Sequence, residues 1–201
     1  LELYPVLFDL RELLNKVLNI MEYQAVQKKL SLRMVMSDFD GENLCLFGDD
    51  VRFRQVVINL ISNAIKFSPQ DSEILVKLEK LQPEHSGFVR FRLSVRDHGI
   101  GISEENQKRI FEAFEQGGGN ITRIYGGTGL GLPISNNVVQ MMGGSHIQVR
   151  SEEGQGSEFS FVVEMEHKPL ISTEELEVTT EFLDLASRCI LVVDDIEINR
   201  E

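Results

Sequence analysis

The chain has 201 residues, of which 42% are hydrophobic and 26% are charged, the composition of an ordinary globular protein. Its formal net charge of −12 argues against nucleic-acid binding, because such proteins carry a basic patch. Cys45 and Cys189 are too few for a disulfide framework or a metal site, no signal peptide opens the chain, and no apolar run approaches the ~20 residues of a membrane span. We therefore expect a cytoplasmic fragment without membrane contact, although a larger parent protein could still be membrane-anchored.

The first predicted elements are an extended segment, a helix and two short strands. Residues 1–7 are predicted to be an extended lead-in. Asp9 is a plausible N-cap for a helix, because apolar residues recur at helical spacing between residues 10 and 21. Short strands are predicted at residues 31–36 and 44–47.

A second helix is predicted over residues 49–67. Its apolar residues form one stripe, and a polar stripe lies opposite: Arg52, Gln55, Asn59, Asn63 and Lys66. This polar stripe is either a solvated face or a ligand-binding one. Asparagine is a mediocre helix former, so two of them four residues apart need a reason. An amide oxygen can bind a hard cation such as Mg²⁺, and a lysine one turn further on can contact phosphate.

Two strands in hairpin relation follow, at residues 74–79 and 89–96. The second strand runs directly into Asp97, with Gly99 and Gly101 just beyond it. An aspartate at this place can accept a hydrogen bond from a ligand while glycine backbone lies flat against that ligand. The alternative is an Asx turn that caps the next helix.

The next predicted helix begins at Ser103 and ends near Phe114, and its pair Phe111 and Phe114 is by default part of the core. A glycine-rich loop follows, with the sequence Arg123-Ile-Tyr-Gly-Gly-Thr-Gly-Leu-Gly-Leu-Pro-Ile134. Glycines let a backbone approach a ligand closely, and a helix start presents unpaired N–H groups and a positive dipole end. These features suit phosphate, although many glycine-rich loops are only turns.

The last elements of the domain are a helix at residues 129–142, with Pro133 in its first turn, and strands at residues 145–151 and 157–166. Residues beyond them have a different character. The stretch 167–188 is predicted to be an acidic linker. After it comes a strand of the buried parallel type that ends in Asp194 and Asp195.

Four motifs now stand in a fixed order, and as an ordered set they are highly specific: Asn59-Leu-Ile-Ser-Asn63-Ala-Ile-Lys66-Phe67, Asp97-His-Gly99-Ile-Gly101, Phe111-Glu-Ala-Phe114 and Gly127-Thr-Gly129-Leu-Gly131-Leu132. The set closely resembles the ATP-binding catalytic domain of sensor histidine kinases of two-component systems. The resemblance implies an α/β two-layer sandwich, whose mixed sheet is covered on one face by helices, as in gyrase and the heat-shock chaperone ATPases.

The resemblance also implies a domain organisation. Residues 1–8 would lead in from a histidine-bearing dimerisation domain, and residues 9–166 would form the ATP-binding catalytic domain. The acidic linker would cover residues 167–188. Residues 189–201 resemble the truncated first strand of a receiver domain, so the parent resembles a hybrid histidine kinase.

Roles for single residues follow from the same resemblance. Asp97 matches the aspartate that accepts from the adenine amino group, and Asn63 matches the Mg²⁺ ligand. Lys66 and Arg123 match cations near the phosphates, and with Asn59 and Asn63 they are the expected catalytic residues. The remaining residues carried over as ATP-binding are Gly99, Gly101, Ile102, Phe111, Phe114, Tyr125, Gly127, Thr128, Gly129, Leu130, Gly131, Leu132 and Ser157, the last standing where the family often has threonine.

The residue at position 59 distinguishes ATP hydrolysis from phosphoryl transfer to a histidine. The related hydrolytic ATPases carry a glutamate at this position, as the base that activates water. An amide cannot take a proton at neutral pH, so water is a poor nucleophile in this site. In the kinase family the nucleophile is a histidine on a separate helical domain. None of the four histidines here, His85, His98, His146 and His167, has the phosphoacceptor pattern, so we expect the acceptor to lie elsewhere.

Three functions are compatible with these motifs. The first is a kinase module that binds Mg²⁺–ATP and phosphorylates a histidine in trans. Its partners would be the histidine-bearing dimerisation domain and a receiver domain or response regulator, the fragment being monomeric and the parent homodimeric. The second is a nucleotide-gated interaction module without turnover. The third is a gyrase- or chaperone-type hydrolytic ATPase, which Asn59 and the receiver-like tail disfavour. The intact motifs favour the first.

Overall fold

The computed structural model of the protein describes residues 2–39, 44–111 and 129–168. Its elements, in chain order, are β1 (Val6–Asp9), α1 (Leu10–Gln27), β2 (Ser31–Ser37), β3 (Cys45–Gly48), α2 (Asp50–Phe67), β4 (Glu73–Leu81), β5 (Phe88–Arg96), α3 (Glu104–Arg109), α4 (Gly131–Met141), β6 (Gln148–Glu152) and β7 (Gly156–His167). Within these residues, no helix is both long and apolar enough to cross a membrane.

The strands form one seven-stranded sheet in the order β1-β3-β7-β5-β4-β2, with β6 paired to β7 outside this path. The sheet is mixed, because β2 and β4 run parallel while the other pairs are antiparallel. The central strand β5 pairs over its whole length with the longer β7, from Phe88 opposite Glu166 to Arg96 opposite Glu158. This register brings the end of β5 next to the start of β7.

The core lies between one face of the sheet and the helices α1, α2 and α4. Strand residues alternate between the two faces, so every second residue of the central strands is buried: Val89, Phe91, Leu93, Val95, Phe159, Phe161, Val163 and Met165. The apolar stripe of α2 packs on them. The ring of Phe53 meets those of Phe91 and Phe161 edge-on, with centroids 6.0 and 6.1 Å apart. The predicted sandwich of a mixed sheet and helices is confirmed.

Two aspartates fix the start of the domain. The Asp9 carboxylate accepts from Glu12 N at 2.8 Å and caps α1, as predicted. Asp49 is buried, and its Oδ1 accepts from Arg52 N at 2.9 Å while its Oδ2 accepts from Tyr4 N at 2.8 Å. The lead-in backbone is therefore attached to the start of α2. Residues 6–9 continue it as β1, paired with β3 inside the sheet.

The other end of α2 is held by a lysine. Nζ of Lys28 donates to the carbonyl oxygens of Ile65 and Lys66, both at 2.7 Å. The last carbonyl groups of a helix have no partner within the helix, and a nearby cation satisfies them. Burial lowers the pKa of the Lys28 ammonium from its usual value. The C-terminal turn of α2, which carries the polar stripe's Lys66, is thereby fixed against the turn after α1.

Three predicted boundaries are wrong. The helix that begins after Ser103 ends at Arg109 and not near residue 114, because the next two residues turn and pack against the core. The helix predicted from residue 129 begins at Gly131, since Gly129 has a φ of +71°, outside the helical region. The strand predicted from residue 145 begins at Gln148. Before it, the Ser145 hydroxyl takes the place of a ladder partner and accepts from Val162 N at 3.0 Å.

Candidate nucleotide-binding site

Asp97 lies just beyond the end of β5 and is 5% exposed. Its Oδ1 accepts from Gly99 N at 2.7 Å and from Ser157 N at 3.3 Å. In the part of the chain that the structure describes, no donor bonds Oδ2. Burial raises the pKa of Asp97, while the two backbone donors and the nearby His98 act in the opposite direction. Among the described residues, the carboxylate is thus held through Oδ1 alone.

The two roles predicted for Asp97, an acceptor for a ligand and an Asx turn, are compatible. The bond from Gly99 N to Oδ1 of Asp97, two residues earlier, closes an Asx turn. This turn does not cap the next helix, as the alternative predicted, because α3 is capped by Ser103. That turn uses Oδ1 only. The register of β5 with β7 supplies the second donor, because Asp97 N also donates to Ser157 O at 2.8 Å. The turn orients the carboxylate through Oδ1 and does not use Oδ2.

Gly101 is required by close packing. Its φ is +68°, and a Cβ added there would overlap the Glu152 carbonyl oxygen at the end of β6. A left-handed backbone and a blocked Cβ position both exclude other residues. Gly99 is similarly close, since its Cβ would lie 2.7 Å from the carbonyl oxygen of Phe67 at the end of α2. The loop after Asp97 therefore packs closely against both the end of β6 and the end of α2.

The substitution Gly101→Ala should lower the free energy of unfolding by roughly 2 kcal/mol or more, because it adds an overlap to the cost of the left-handed conformation. Gly154→Ala is the matched control, since its φ of +77° is similar and its Cβ would meet nothing within 4 Å. Urea denaturation of both variants measures the difference. Equal losses would show that the close packing at Gly101 is unimportant.

A small hydrogen-bond network supports this loop. Ile102 N donates to Ser151 Oγ at 2.8 Å, and that oxygen lies 2.9 Å from Ser157 Oγ. The amide Nε2 of Gln107 donates to the carbonyl oxygens of Ile102 and Ser151, at 2.7 and 2.9 Å. Sequence analysis missed Ser151 and Gln107. Neither lies in a motif, and only the packing of α3 against β6 brings them together, so no local sequence pattern could have identified them.

Four residues of the polar stripe of α2 are half-buried, Gln55 is exposed, and Asn59 contacts α4. Asn59 Nδ2 donates to Ser135 Oγ at 2.9 Å. The ammonium of Lys66 lies 4.8 Å from the centre of the Phe67 ring. Asn63, by contrast, has no side-chain hydrogen-bond partner among the described residues. Of the two asparagines, only the first is hydrogen-bonded through its side chain to another described residue.

The start of α4 lies next to this stripe. The residue before the helix, Leu130, gives it no side-chain cap, so the first N–H groups of α4 are not satisfied in that way. Pro133 is buried within the first turn, as predicted.

Two other predicted site residues, Phe111 and Leu132, are half-buried against the core. Other predicted site residues lie outside the described ones, and their roles stay predictions: Phe114, Arg123, Tyr125, Gly127 and Thr128.

Three of the four motifs consequently meet along α2. The Asp97 loop touches its C-terminal end through Gly99, and α4 touches its middle through Gly131 and Ser135. Within the described residues, no group of three or more His, Cys, Asp or Glu side chains is placed to hold a metal ion. A cation here would depend on the Asn63 amide oxygen and on oxygens that a ligand brings.

Comparison with known proteins agrees with this geometry. Residues 48–167 match the family model for histidine kinase-, DNA gyrase B-, and HSP90-like ATPases. Sensor histidine kinase AruS of Pseudomonas aeruginosa is 41% identical over 196 residues, which cover 96% of this chain and 18% of that protein. Signal transduction histidine-protein kinase BarA of Escherichia coli K12 is 36% identical over 168 residues, covering 83% of this chain and 18% of BarA.

Solved structures show the same likeness. Full-length ShkA in complex with AMPPNP superposes with a TM-score of 0.67 at 32% identity, covering 84% of this chain and 32% of ShkA. The catalytic domain of histidine kinase ThkA gives a TM-score of 0.62 at 27% identity, covering 81% of this chain and 95% of that domain. The chain belongs to the histidine kinase-, DNA gyrase B-, and HSP90-like ATPase family, as a histidine kinase catalytic ATP-binding domain. It spans only about a fifth of the curated relatives it matches.

Proposed function

We propose that this chain binds Mg²⁺–ATP and transfers the γ-phosphoryl group to a histidine on a separate dimerisation domain, within two-component signalling. The observation that carries the proposal is the buried Asp97 carboxylate, whose Oδ1 accepts two backbone N–H groups while no described residue donates to Oδ2. Its loop contacts the C-terminal end of α2, which carries the half-buried Asn63 and Lys66. A receiver domain would take the phosphoryl group next. Residues 189–201, which resemble the start of such a domain, lie outside the described residues.

Adenine recognition is assigned to the loop around Asp97. Oδ2 would accept from the exocyclic amine of adenine, which is a donor of the right type for a carboxylate oxygen. The backbone of Gly101 and Ile102 would lie along the base, in the position that the network of Ser151 and Gln107 holds. Ser157 would add its hydroxyl at the back of the same pocket. These assignments all use groups that surround one buried carboxylate.

The phosphate end is assigned to α2 and the start of α4. A Mg²⁺ ion supplies charge neutralisation for phosphoryl transfer. Asn63 would hold it through its amide oxygen, and the residues fit this role because that amide has no partner within the described ranges. Lys66 lies one turn further along the same stripe, where a cation would face the phosphates. The first N–H groups of α4 would bind phosphate oxygens as helix N-termini do.

The acceptor is assigned to another domain for two reasons. First, α2 carries no glutamate, and its one carboxylate is Asp50 in the first turn, far along the helix from Asn63. Water therefore has no base on this helix. Second, none of the four histidines, all of which the structure describes, lies in a helix. A phosphoacceptor histidine of the kind the family uses would have to come from outside the chain.

A comparison of ATP with GTP tests the adenine assignment. Guanine carries a carbonyl oxygen where adenine has its amino group, so Asp97 Oδ2 would face an acceptor and the contact would be lost. We expect GTP to bind at least about tenfold more weakly, since an unmatched buried polar contact costs about 1–3 kcal/mol. Calorimetric titration with Mg²⁺ present measures both affinities. Equal affinities would remove the argument for adenine recognition.

A further inference from the structure

Asn59 of α2 and Ser135 of α4 are joined by a hydrogen bond whose geometry is well defined. Nδ2 of the asparagine donates to the serine Oγ at 2.9 Å. Ser135 is 3% exposed, so its hydroxyl lies inside the helix interface and not on a ligand-accessible surface. An amide that donates to a buried hydroxyl in this way is held in one orientation.

The opposite side of the same amide touches the first residue of α4. A Cβ added to Gly131 would lie 2.5 Å from Asn59 Oδ1 and 3.2 Å from its Cγ. Only glycine allows the helix start to approach so closely without moving the asparagine. Both the nitrogen and the oxygen end of the Asn59 amide are therefore in contact with the first and second turns of α4.

We propose that Asn59 is a positioning residue, which acts through Ser135 and Gly131 to fix the start of α4 against α2. This assignment rests on the proposed function and deepens it. Asn63 lies one turn further along α2, so the contact sets the spacing between that side chain and the first N–H groups of α4. Asn59 then contributes to phosphoryl transfer by holding α4 in position, and it does so at the place where the hydrolytic relatives carry a base.

The distinguishing variant is Ser135→Ala. Ser135 is buried and is not expected to touch ATP, so this change tests the contact that holds α4 against Asn59. We expect Asn59→Ala and Ser135→Ala each to weaken Mg²⁺–ATP binding by about fivefold to tenfold and to slow phosphoryl transfer to a similar degree. The double variant should be no worse than either single one within about twofold, because both remove the same contact. Asn137→Ala, exposed on the same helix, is the control and should change neither quantity.

Calorimetry, a transfer assay with the parent's histidine-bearing domain, and thermal unfolding of each variant give three readouts. If Ser135→Ala leaves ATP binding intact while Asn59→Ala weakens it, Asn59 touches the ligand directly and the proposal is overturned. Multiplying effects in the double variant overturn it as well. So does a lower unfolding temperature with unchanged ATP binding in both single variants, because that result describes a purely structural contact.

A second pair of variants keeps the test independent of the serine. Gly131→Ala should weaken ATP binding, because its methyl group displaces the Asn59 amide. Adding Asn59→Ala removes the amide that the new methyl group would overlap. The double variant should therefore bind ATP no more weakly than Asn59→Ala alone. A weaker double variant would contradict the proposal. Failure of the proposed function would appear differently, as a wild-type chain that binds no ATP or phosphorylates no histidine.

Discussion

Replacing Asn63 by alanine should abolish phosphoryl transfer and remove the Mg²⁺ dependence of ATP binding. The amide has no partner among the described residues, so its loss costs the fold little, whereas the metal loses the one protein ligand assigned to it. Without the cation, the charge on the phosphates is not neutralised where the γ-phosphoryl group is transferred. Radiolabelled ATP with the added histidine-bearing domain measures transfer, and titrations at several Mg²⁺ concentrations measure binding.

Ser62→Ala is the matched control for this prediction. Ser62 is the preceding residue of α2, is also half-buried, and lies off the polar stripe. It should transfer at nearly the wild-type rate. If the two variants show the same Mg²⁺ dependence of ATP binding, Asn63 is not the metal ligand, and the phosphate end of the site has been assigned to the wrong residues.

Asp97→Asn should weaken ATP binding by about tenfold or more. Oδ1 already accepts from two backbone N–H groups, those of Gly99 and Ser157, so the amide oxygen of the variant must take that side. Its NH₂ group then points where Oδ2 was and meets the amino group of adenine, donor against donor. Such an unmatched buried contact costs about 1–3 kcal/mol. Turning the amide over only moves the mismatch to the two backbone donors.

The control for this charge removal is Asp71→Asn. Asp71 is exposed in the turn before β4, with a φ of +62° that asparagine also tolerates. It should leave ATP affinity and stability unchanged. Calorimetry on both variants, after circular dichroism shows that each is folded, decides the outcome. Unchanged affinity in a folded Asp97→Asn protein would mean that this carboxylate does not read the base.

Much of the fold was predictable because its signals are local. The stripe of α2, the alternation in β5 and β7, and the caps Asp9 and Ser103 depend on residues a few positions apart. The structure bears out these features. The ends of α3 and α4 were predicted wrongly because they depend on tertiary packing and on the left-handed backbone of Gly129, which composition does not show.

The site was predictable in its residue types and less so in its contacts. Asp97 and Asn63 are identified by motifs, and their roles stay predictions until they are measured. Asn59 illustrates the limit. Its position on the polar stripe follows from helical spacing, whereas its bond to Ser135 joins residues 76 positions apart. Contacts of that kind, like those of Gln107 with Ser151, are set by the packing of one element on another.

The most direct test of the central claim is an assay with radiolabelled ATP on the chain alone, with the parent's histidine-bearing domain, and on Asn63→Ala as control. The chain alone should neither label itself nor release phosphate at an appreciable rate. Adding the histidine domain should produce a labelled histidine, slowly, because tethering no longer raises its effective concentration. Rapid ATP hydrolysis by the chain alone, lost in Asn63→Ala, would show that water is the nucleophile and would contradict the kinase assignment.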